Sequence, residues 1–291
     1  MRRSVLPLSA VAVTALLLTA CGTEHAASGN TGVRASAPSS GTQLDDPGKD
    51  GARITSFDKP ATGSGAVAHY EVTNAGTETL TYSVVITFMS GDGGAMDNRT
   101  ATVRDVAPGK TVRGTARAGE LPPGAPRVTG AKVLEVTKVP AAEAPAEPGT
   151  CPASGIRVSA DQGDAAMGLR VVGLRLDNCG ARDYTVEGYP LLELLDDGFE
   201  PVHGIKILHG GGGITTGTGL DTQPRPVTLK PGESATSGLV WRNTTEAGTP
   251  VNVPYVRIRA KAGAAPATVT PHLDLGTTGK LGVGPWVKKG H

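Results

Sequence analysis

Three cysteines carry the most distinctive chemistry in this 291-residue chain. Cys21 follows Leu18-Thr19-Ala20 and precedes Gly22. Small residues just before a cysteine admit the chain to a signal peptidase. A thiol at that position can carry a thioether-linked diacylglyceryl group. Cys151 and Cys179 are the other two thiols. Two thiols left over in an exported chain pair more often than not. Closing a loop of about 28 residues stabilises a fold by about 3–4 kcal/mol on the chain-entropy account. Two buried free thiols are the alternative.

The residues ahead of Cys21 set its role. Arg2 and Arg3 form a basic start, and Val5 to Leu18 form an apolar stretch. That stretch, about 14 residues, suits a signal peptide and falls short of the about 20 needed to span a membrane as a helix. The arrangement resembles a bacterial lipoprotein signal with its lipobox. The resemblance implies a signal peptide over residues 1–20, lipidation of Cys21, and an extracytoplasmic protein anchored by lipid to the cell membrane. An ordinary cleaved signal with an incidental cysteine is the alternative.

Other residues suggest chemistry without completing it. Ser56-Phe57-Asp58-Lys59 fits the Ser-x-x-Lys of penicillin-interacting enzymes, but that motif needs a helix to bring both side chains to one face. Gly276-Thr277-Thr278-Gly279-Lys280 shares part of a phosphate-loop spacing and lacks both the following Ser or Thr and a helix; it reads as a turn. His203 and His209 flank Gly-Ile-Lys-Ile-Leu. In one extended strand they stand roughly 20 Å apart at about 3.3 Å per residue, too far to share a metal. Asp45 and Asp46 fall in a polar stretch, and Asp196 and Asp197 at a hairpin tip, where Asp serves the turn. Asn98-Arg99-Thr100 and Asn243-Thr244-Thr245 match glycosylation sequons, a coincidence in a bacterial lipoprotein. No Gly-x-Ser-x-Gly elbow and no zinc-ligand spacing occurs. The expectation is no catalytic residue, no metal and no cofactor. The segment His209 to Pro226 stands apart, because long Gly-rich insertions in compact domains are either functional or disordered. Gly210, Gly211, Gly212, Gly213, Thr215 and Thr216 make it a candidate contact loop, with a mobile solvent loop as the alternative.

Composition bounds the partners. The net charge is +1, close to neutral without Arg2 and Arg3, so nucleic acid is not expected. There are 41 Gly and 22 Pro, and aromatics make only 3% of the chain. This favours turn-rich β structure with aliphatic cores and disfavours aromatic sugar-binding platforms.

The chain divides at composition breaks. Residues 21–51 are Ser, Gly, Ala and Thr with almost no apolar content, a disordered tether. As a flexible coil it reaches about 30 Å. Residues 140–150, PAAEAPAEPGT, form a semi-rigid Pro/Ala linker. Two folded segments remain, 52–139 and 151–287. Val67 to Val72, Tyr82 to Phe88, Leu169 to Leu176 and Val253 to Ala260 read as strands, and no amphipathic helix of three turns appears. The turn signals repeat. Asn74-Ala75-Gly76, Asp92-Gly93 and Pro108-Gly109 in the first segment answer Asn178-Cys179-Gly180, Asp197-Gly198 and Pro231-Gly232 in the second. The second copy inserts His203 to Pro226. Asn and Gly tolerate positive φ, and Pro-Gly sets a type II turn. The fold expected is all-β, two tandem immunoglobulin-like β-sandwich domains after a signal peptide and tether.

Two resemblances agree. TNAGTETLTYSVVITFMSGDGG with VAPGKTV, within Ile54 to Val139, is similar to small extracellular immunoglobulin-like domains of bacterial envelope proteins. NCGARDYTVEGYP, LLDDGFEPV, LKPGESATSGLVW and LDLGTTGKLGVGPW, within 151–287, resemble the actinobacterial domain-of-unknown-function 4232 family. These are secreted or lipidated modules, and the resemblance implies an immunoglobulin-like sandwich with no known chemistry. The chain departs from the family by carrying Tyr184 where a cysteine usually precedes Gly-Tyr-Pro, and by lacking a C-terminal cysteine pair. The function expected is a non-enzymatic envelope lipoprotein displaying two sandwiches for contact with an envelope protein or the cell wall. A lipid-anchored hydrolase with an unrecognised site is the alternative. A solute-binding lipoprotein would require α/β alternation, which is missing.

Overall fold

The computed structural model describes residues 42–43, 46–59 and 65–289, all within one compact unit. Cys21, the signal 1–20 and most of the 21–51 tether lie outside the described residues. Among the described residues there is no α-helix, and the protein is all-β.

The N-terminal region contains β1 (Thr42–Gln43), β2 (Ala52–Asp58), β3 (Val67–Thr73), β4 (Leu80–Ser90), β5 (Ala95–Val106), β6 (Thr111–Arg117) and β7 (Val128–Pro140). They form a four-stranded sheet, β1-β2-β3-β6, and a three-stranded sheet, β5-β4-β7. Alternation decides which side chains go inward. On β4, Tyr82, Val84, Ile86 and Phe88 are buried in a core shared with Ile54, Phe57, Ala68, Tyr70 and Val72. Thr81, Ser83 and Thr87 of β4 occupy the other face. Tyr70 lies across from Gly114 of β6, and a Cβ there would collide with the Tyr70 ring; glycine is what lets the ring lie over the backbone.

The structure differs from sequence expectation at the start of this region. Residues 42–43 and 46–51 fall in the expected tether, yet β1 pairs with β2, Thr42 opposite Phe57. Asp46 accepts the Gly48 and Ile54 N–H groups at 3.0 and 2.9 Å. A carboxylate that satisfies two backbone donors holds a segment that composition alone reads as coil.

The C-terminal region contains β8 (Ile156–Ala160), β9 (Asp164–Ala166), β10 (Leu169–Asn178), β11 (Tyr184–Val186), β12 (Leu191–Leu195), β13 (Lys206–His209), β14 (Val227–Leu229), β15 (Ser234–Arg242), β16 (Asn252–Val253), β17 (Tyr255–Arg259), β18 (Pro266–Val269), β19 (Leu273–Asp274), β20 (Lys280–Val283) and β21 (Val287–Lys288). The largest sheet runs β13-β20-β15-β10-β8, and a second runs β12-β17-β18. Leu174, Leu176, Leu239, Val256, Ile258, Leu281 and both tryptophans share one core. Burying an indole is favourable when its N–H finds an acceptor. Trp241 Nε1 donates to Asp274 Oδ1 at 2.7 Å, and Trp286 Nε1 to the Ala260 carbonyl at 3.0 Å. The expected strand from His203 to His209 is shorter: only Lys206–His209 pairs, parallel to β20, and Gly204 at φ +85° breaks the extended run.

The Pro/Ala linker is a structured contact. After β7 it makes a 3-10 turn, Ala141–Glu143. Glu143 Oε2 accepts from Arg257 Nε at 2.7 Å and from Thr268 Oγ1 at 2.6 Å. Val139, Leu195 and Tyr255 form a small buried cluster joining the two regions, with Ala144 and Phe199 packed on it. Phe199, from the Asp196–Glu200 hairpin tip, also packs against the N-terminal core, and its ring lies 4.9 Å from that of Tyr255.

Candidate functional site

The junction between the two regions forms a cleft of about 320 Å³. Its first wall is the outer face of the β5-β4-β7 sheet. Ser83 lies opposite Thr102 on one side and Thr137 on the other, so strand alternation sets a row of hydroxyls on this face. Its second wall is the ends of β8 and β18, with Ser159 and Thr268, and the linker from Ala144 to Pro148 runs along it. Two charged groups of the cleft have polar partners. Arg104 donates to Glu147 Oε1 and to the Pro145 carbonyl, each at 3.0 Å. Asp161 Oδ1 accepts the Gly163 and Gly173 N–H groups at 2.9 and 2.8 Å. One group is unused. Thr81 is 7% exposed, and its Oγ1 has no hydrogen-bond partner among the described residues.

The walls are held by polar pairs, of which Arg257–Glu143 is the least exposed. Arg257 pairs with Glu143 and, at 2.8 Å, with Glu193. The hydrogen bond to Glu143 raises the Arg257 pKa further above its ordinary value, outweighing burial. Burial raises the Tyr255 phenol, whose Oη receives the Lys138 N–H at 3.5 Å. His272 and Glu135 close the same junction at 3.0 Å. A second groove of about 450 Å³ lies on the other side of the linker, its lining including several alanines with Tyr184 and Lys261. The cleft walls carry hydroxyls, the Arg104–Glu147 pair, Asp161 and Lys138.

The residues singled out in the sequence lie in separate places. Cys151 and Cys179 form a disulfide with Cα atoms 5.7 Å apart. It ties the start of the C-terminal region to the end of β10. The segment His209 to Pro226 is pinned. Asp221 Oδ1 accepts the Gly211 and Gly212 N–H groups at 2.9 and 2.8 Å, and Gly210 and Gly211 are buried. Gly210 sits at φ +88°, where a Cβ would come within 2.5 Å of Asp221 Oδ1. Thr215 is half-buried and its N–H donates to the Gly211 carbonyl, while Gly212, Gly213 and Thr216 are exposed. The amides that would meet an anion are therefore already occupied by a carboxylate from the same loop.

Ser56 and Asp58 lie on the outer face of β2, and His69 of β3 is opposite Ser56. His69 Nε2 is 2.8 Å from Asp58 Oδ2. A hydrolytic histidine holds the carboxylate with one ring nitrogen and the nucleophile hydroxyl with the other. No hydrogen bond joins Ser56 to His69 among the described residues. Lys59 is exposed just beyond the strand. His209 stacks on Tyr189 at 4.0 Å between ring centroids, and His203 is exposed before β13. Gly276 to Gly279 is the turn between β19 and β20, with Thr278 Oγ1 donating to the Leu275 carbonyl at 2.9 Å. Asp196 Oδ1 caps its hairpin through the Gly198 and Glu200 N–H groups. Asn98 Oδ1 accepts from Thr87 Oγ1, and Asn243 Nδ2 donates to Asp274 Oδ2. Among the described residues no three His, Cys, Asp or Glu side chains gather as a metal set.

Among the described residues the chain is all-β, with a disulfide at the head of its C-terminal region. Residues 151–287 match the family described as Domain of unknown function (DUF4232), and this C-terminal region is a DUF4232-like domain. No curated protein matches the chain.

Proposed function

We propose that this chain is an extracytoplasmic binding lipoprotein of the cell envelope. In this reading Cys21 carries the lipid, and the two β regions, each an immunoglobulin-like sandwich, contact an envelope protein or the cell wall without catalysis. The observation that carries the reading is the Cys151–Cys179 disulfide. Such bonds persist in oxidising compartments outside the cytosol, which agrees with the export signal read from Arg2 to Cys21. The docking of the two regions through Glu143, Arg257 and Tyr255 supports a single presenting body over two independent beads.

The experiment is detergent-phase partition of the expressed protein with a metabolic acyl label. The wild-type chain is expected to take the label and enter the detergent phase, and Cys21→Ser to lose both. An unlabelled wild-type protein in the aqueous phase would sink the proposal. Crosslinking in living cells then identifies the contact. The alternative, a lipid-anchored hydrolase, would draw on Ser56, His69 and Asp58. Ester turnover abolished by Ser56→Ala would establish it in place of the binding role.

A further inference from the structure

We propose that a second copy of this chain docks at β13, by antiparallel pairing of the two β13 edges about a two-fold axis. The inference concerns association of the chain with itself and does not depend on a lipid at Cys21. Among the described residues β13 ends its sheet, with β20 on one side and no strand on the other. Successive residues of a strand turn their backbone groups to opposite sides. The Lys206 and Gly210 N–H groups donate to the Gly279 and Val283 carbonyls of the β20 segment. The N–H and C=O groups of Ile207 and His209 therefore point to the open side. In an antiparallel pair, two residues that face each other in this way exchange both hydrogen bonds. A two-fold axis at Leu208 sets Ile207 of each copy against the partner's His209. The edge is complementary to itself in this register.

The side chains agree with that register. On one face of β13, Ile207 is 38% exposed beside His209, whose ring stacks on Tyr189. Leu191, two residues beyond Tyr189, is 47% exposed. Apolar side chains at an unpaired edge favour a partner that covers them. On the other face Lys206 stands beside Lys280 in the β13–β20 register. Both are exposed, and neither has an ion partner among the described residues. Like charges side by side are unfavourable, and an edge lysine repels an incoming strand unless that strand brings an acid. A second copy brings one. The two-fold sets Lys206 opposite the partner's Gly210, and Asp221 fills the side-chain place of that glycine, its Oδ1 2.5 Å from where a Cβ would stand. Asp221 is exposed; it holds two amides and has no cation beside it among the described residues. Facing Cβ positions in such a pair are about 4.5–5.5 Å apart, which brings each Lys206 to the partner's Asp221. This charge match favours a second copy over an unrelated strand.

The test is sedimentation of the full chain in density-matched detergent over a concentration series, joined to cysteine crosslinking. The wild-type chain is expected to form a concentration-dependent dimer. The two-fold sets Leu208 opposite the partner's Leu208 as a non-hydrogen-bonded pair, with Cα atoms about 4.5 Å apart. That lies within the separation of about 4.4–6.8 Å that a disulfide spans. Leu208→Cys is expected to give a covalent dimer on oxidation, and Lys132→Cys, at an exposed position of β7, to give none. Lys206→Glu sets acid against acid and is expected to weaken the dimer about tenfold, while Lys206→Arg retains it. A Lys206 that served only solubility would show no such difference. If Leu208→Cys folds poorly, the two Lys206 variants decide alone. The proposal is overturned by a wild-type chain that stays monomeric throughout, by a dimer that a folded Leu208→Cys does not trap, or by charge reversal without effect. A monomer whose β13 edge is covered by a different envelope protein would overturn it too. The Cys21→Ser partition reads anchoring alone, so failure of the chain to pair with itself leaves that result standing.

Discussion

Asn74 and Asn178 make the same hydrogen bonds, one set in each region. Each uses Nδ2 to hold two carbonyls, Glu78 and Val106 for Asn74 and Arg182 and Leu229 for Asn178. Each accepts through Oδ1 the N–H two residues on, from Gly76 or Gly180. Each backbone carbonyl takes the N–H of the glycine in the Pro-Gly turn, Gly109 or Gly232, at 2.7 Å. One buried amide thus ties a strand end, its following turn and a turn about 30 to 50 residues away. The repeated Asn-x-Gly and Pro-Gly signals are two ends of one latch.

Removing that latch should be costly. Asn74→Ala and Asn178→Ala each leave one buried carbonyl, Val106 or Leu229, and one part-buried carbonyl, Glu78 or Arg182, without their side-chain donor, and a loss of about 2–4 kcal/mol is expected for each. Denaturant melts of the two variants check it. A loss below 1 kcal/mol in both would show that water replaces the amide, contrary to the burial of these residues.

The latch was legible in the sequence because its parts have local mechanisms. Asn, Gly and Pro each fix a backbone conformation, and their order repeats. The strands were legible for the same reason: Val67 to Val72 and Tyr82 to Phe88 alternate visibly. The docking of the two regions was not legible. Glu143 lies in a Pro/Ala stretch that reads as spacer, and its partners Arg257 and Thr268 are 114 and 125 residues away. No periodicity encodes such pairing. The cleft shared this fate, since its hydroxyls come from polar positions of β4, β5 and β7 that look like ordinary solvent-facing residues until the second wall is in place.

The linker pairing has its own consequence. Glu143 and Arg257 side chains are only 18% and 20% exposed, so truncating one strands the other in a poorly solvated place. Glu143→Gln should destabilise the chain by about 1.5–3 kcal/mol and speed amide exchange at the Ala141–Glu143 turn. The effect should exceed that of Glu147→Gln, whose side chain is 59% exposed in its pair with Arg104. Equal effects from both variants would contradict the ranking.

Acid should weaken the N-terminal region through Glu71. The hydrogen bond from Arg53, helped by Arg113, lowers the Glu71 pKa below its ordinary 4.5 despite burial. A carboxyl lowered on folding contributes stability that is fully present above the unfolded value. That stability is lost as pH falls through the folded one. Wild-type stability should therefore drop below about pH 4.5, and Glu71→Gln should flatten that slope while lowering stability at neutral pH. Melting curves from pH 7 to pH 3 provide the check. A variant with an unchanged acid slope would remove Glu71 as its source.

The disulfide gives a prediction of conventional size. Replacing Cys151 and Cys179 together by alanine should lower stability by about 3–4 kcal/mol through the freed unfolded chain. Thiol counting in denaturant before and after reduction should rise by two for the wild-type chain, the number of cysteines joined in the bond. Reactive thiols before reduction would contradict the pairing.

Asp221 decides whether the glycine-rich insertion keeps its shape. Its Oδ1 is the acceptor for both Gly211 and Gly212, and the neighbouring Leu220 packs where a Cβ on Gly238 or Gly284 would stand, 2.9 Å away in each case. The carboxylate and the leucine together fix the loop onto β15 and the chain after β20. Asp221→Ala removes the acceptor and leaves two amides to solvent, so their exchange should rise by about tenfold. Proteolysis between Gly210 and Pro226 should rise with it. Asp221→Asn keeps an oxygen at the same place and should retain most of the protection. Fast exchange in the wild-type chain would mean that Asp221 does not hold the loop, and would return the insertion to a mobile solvent segment.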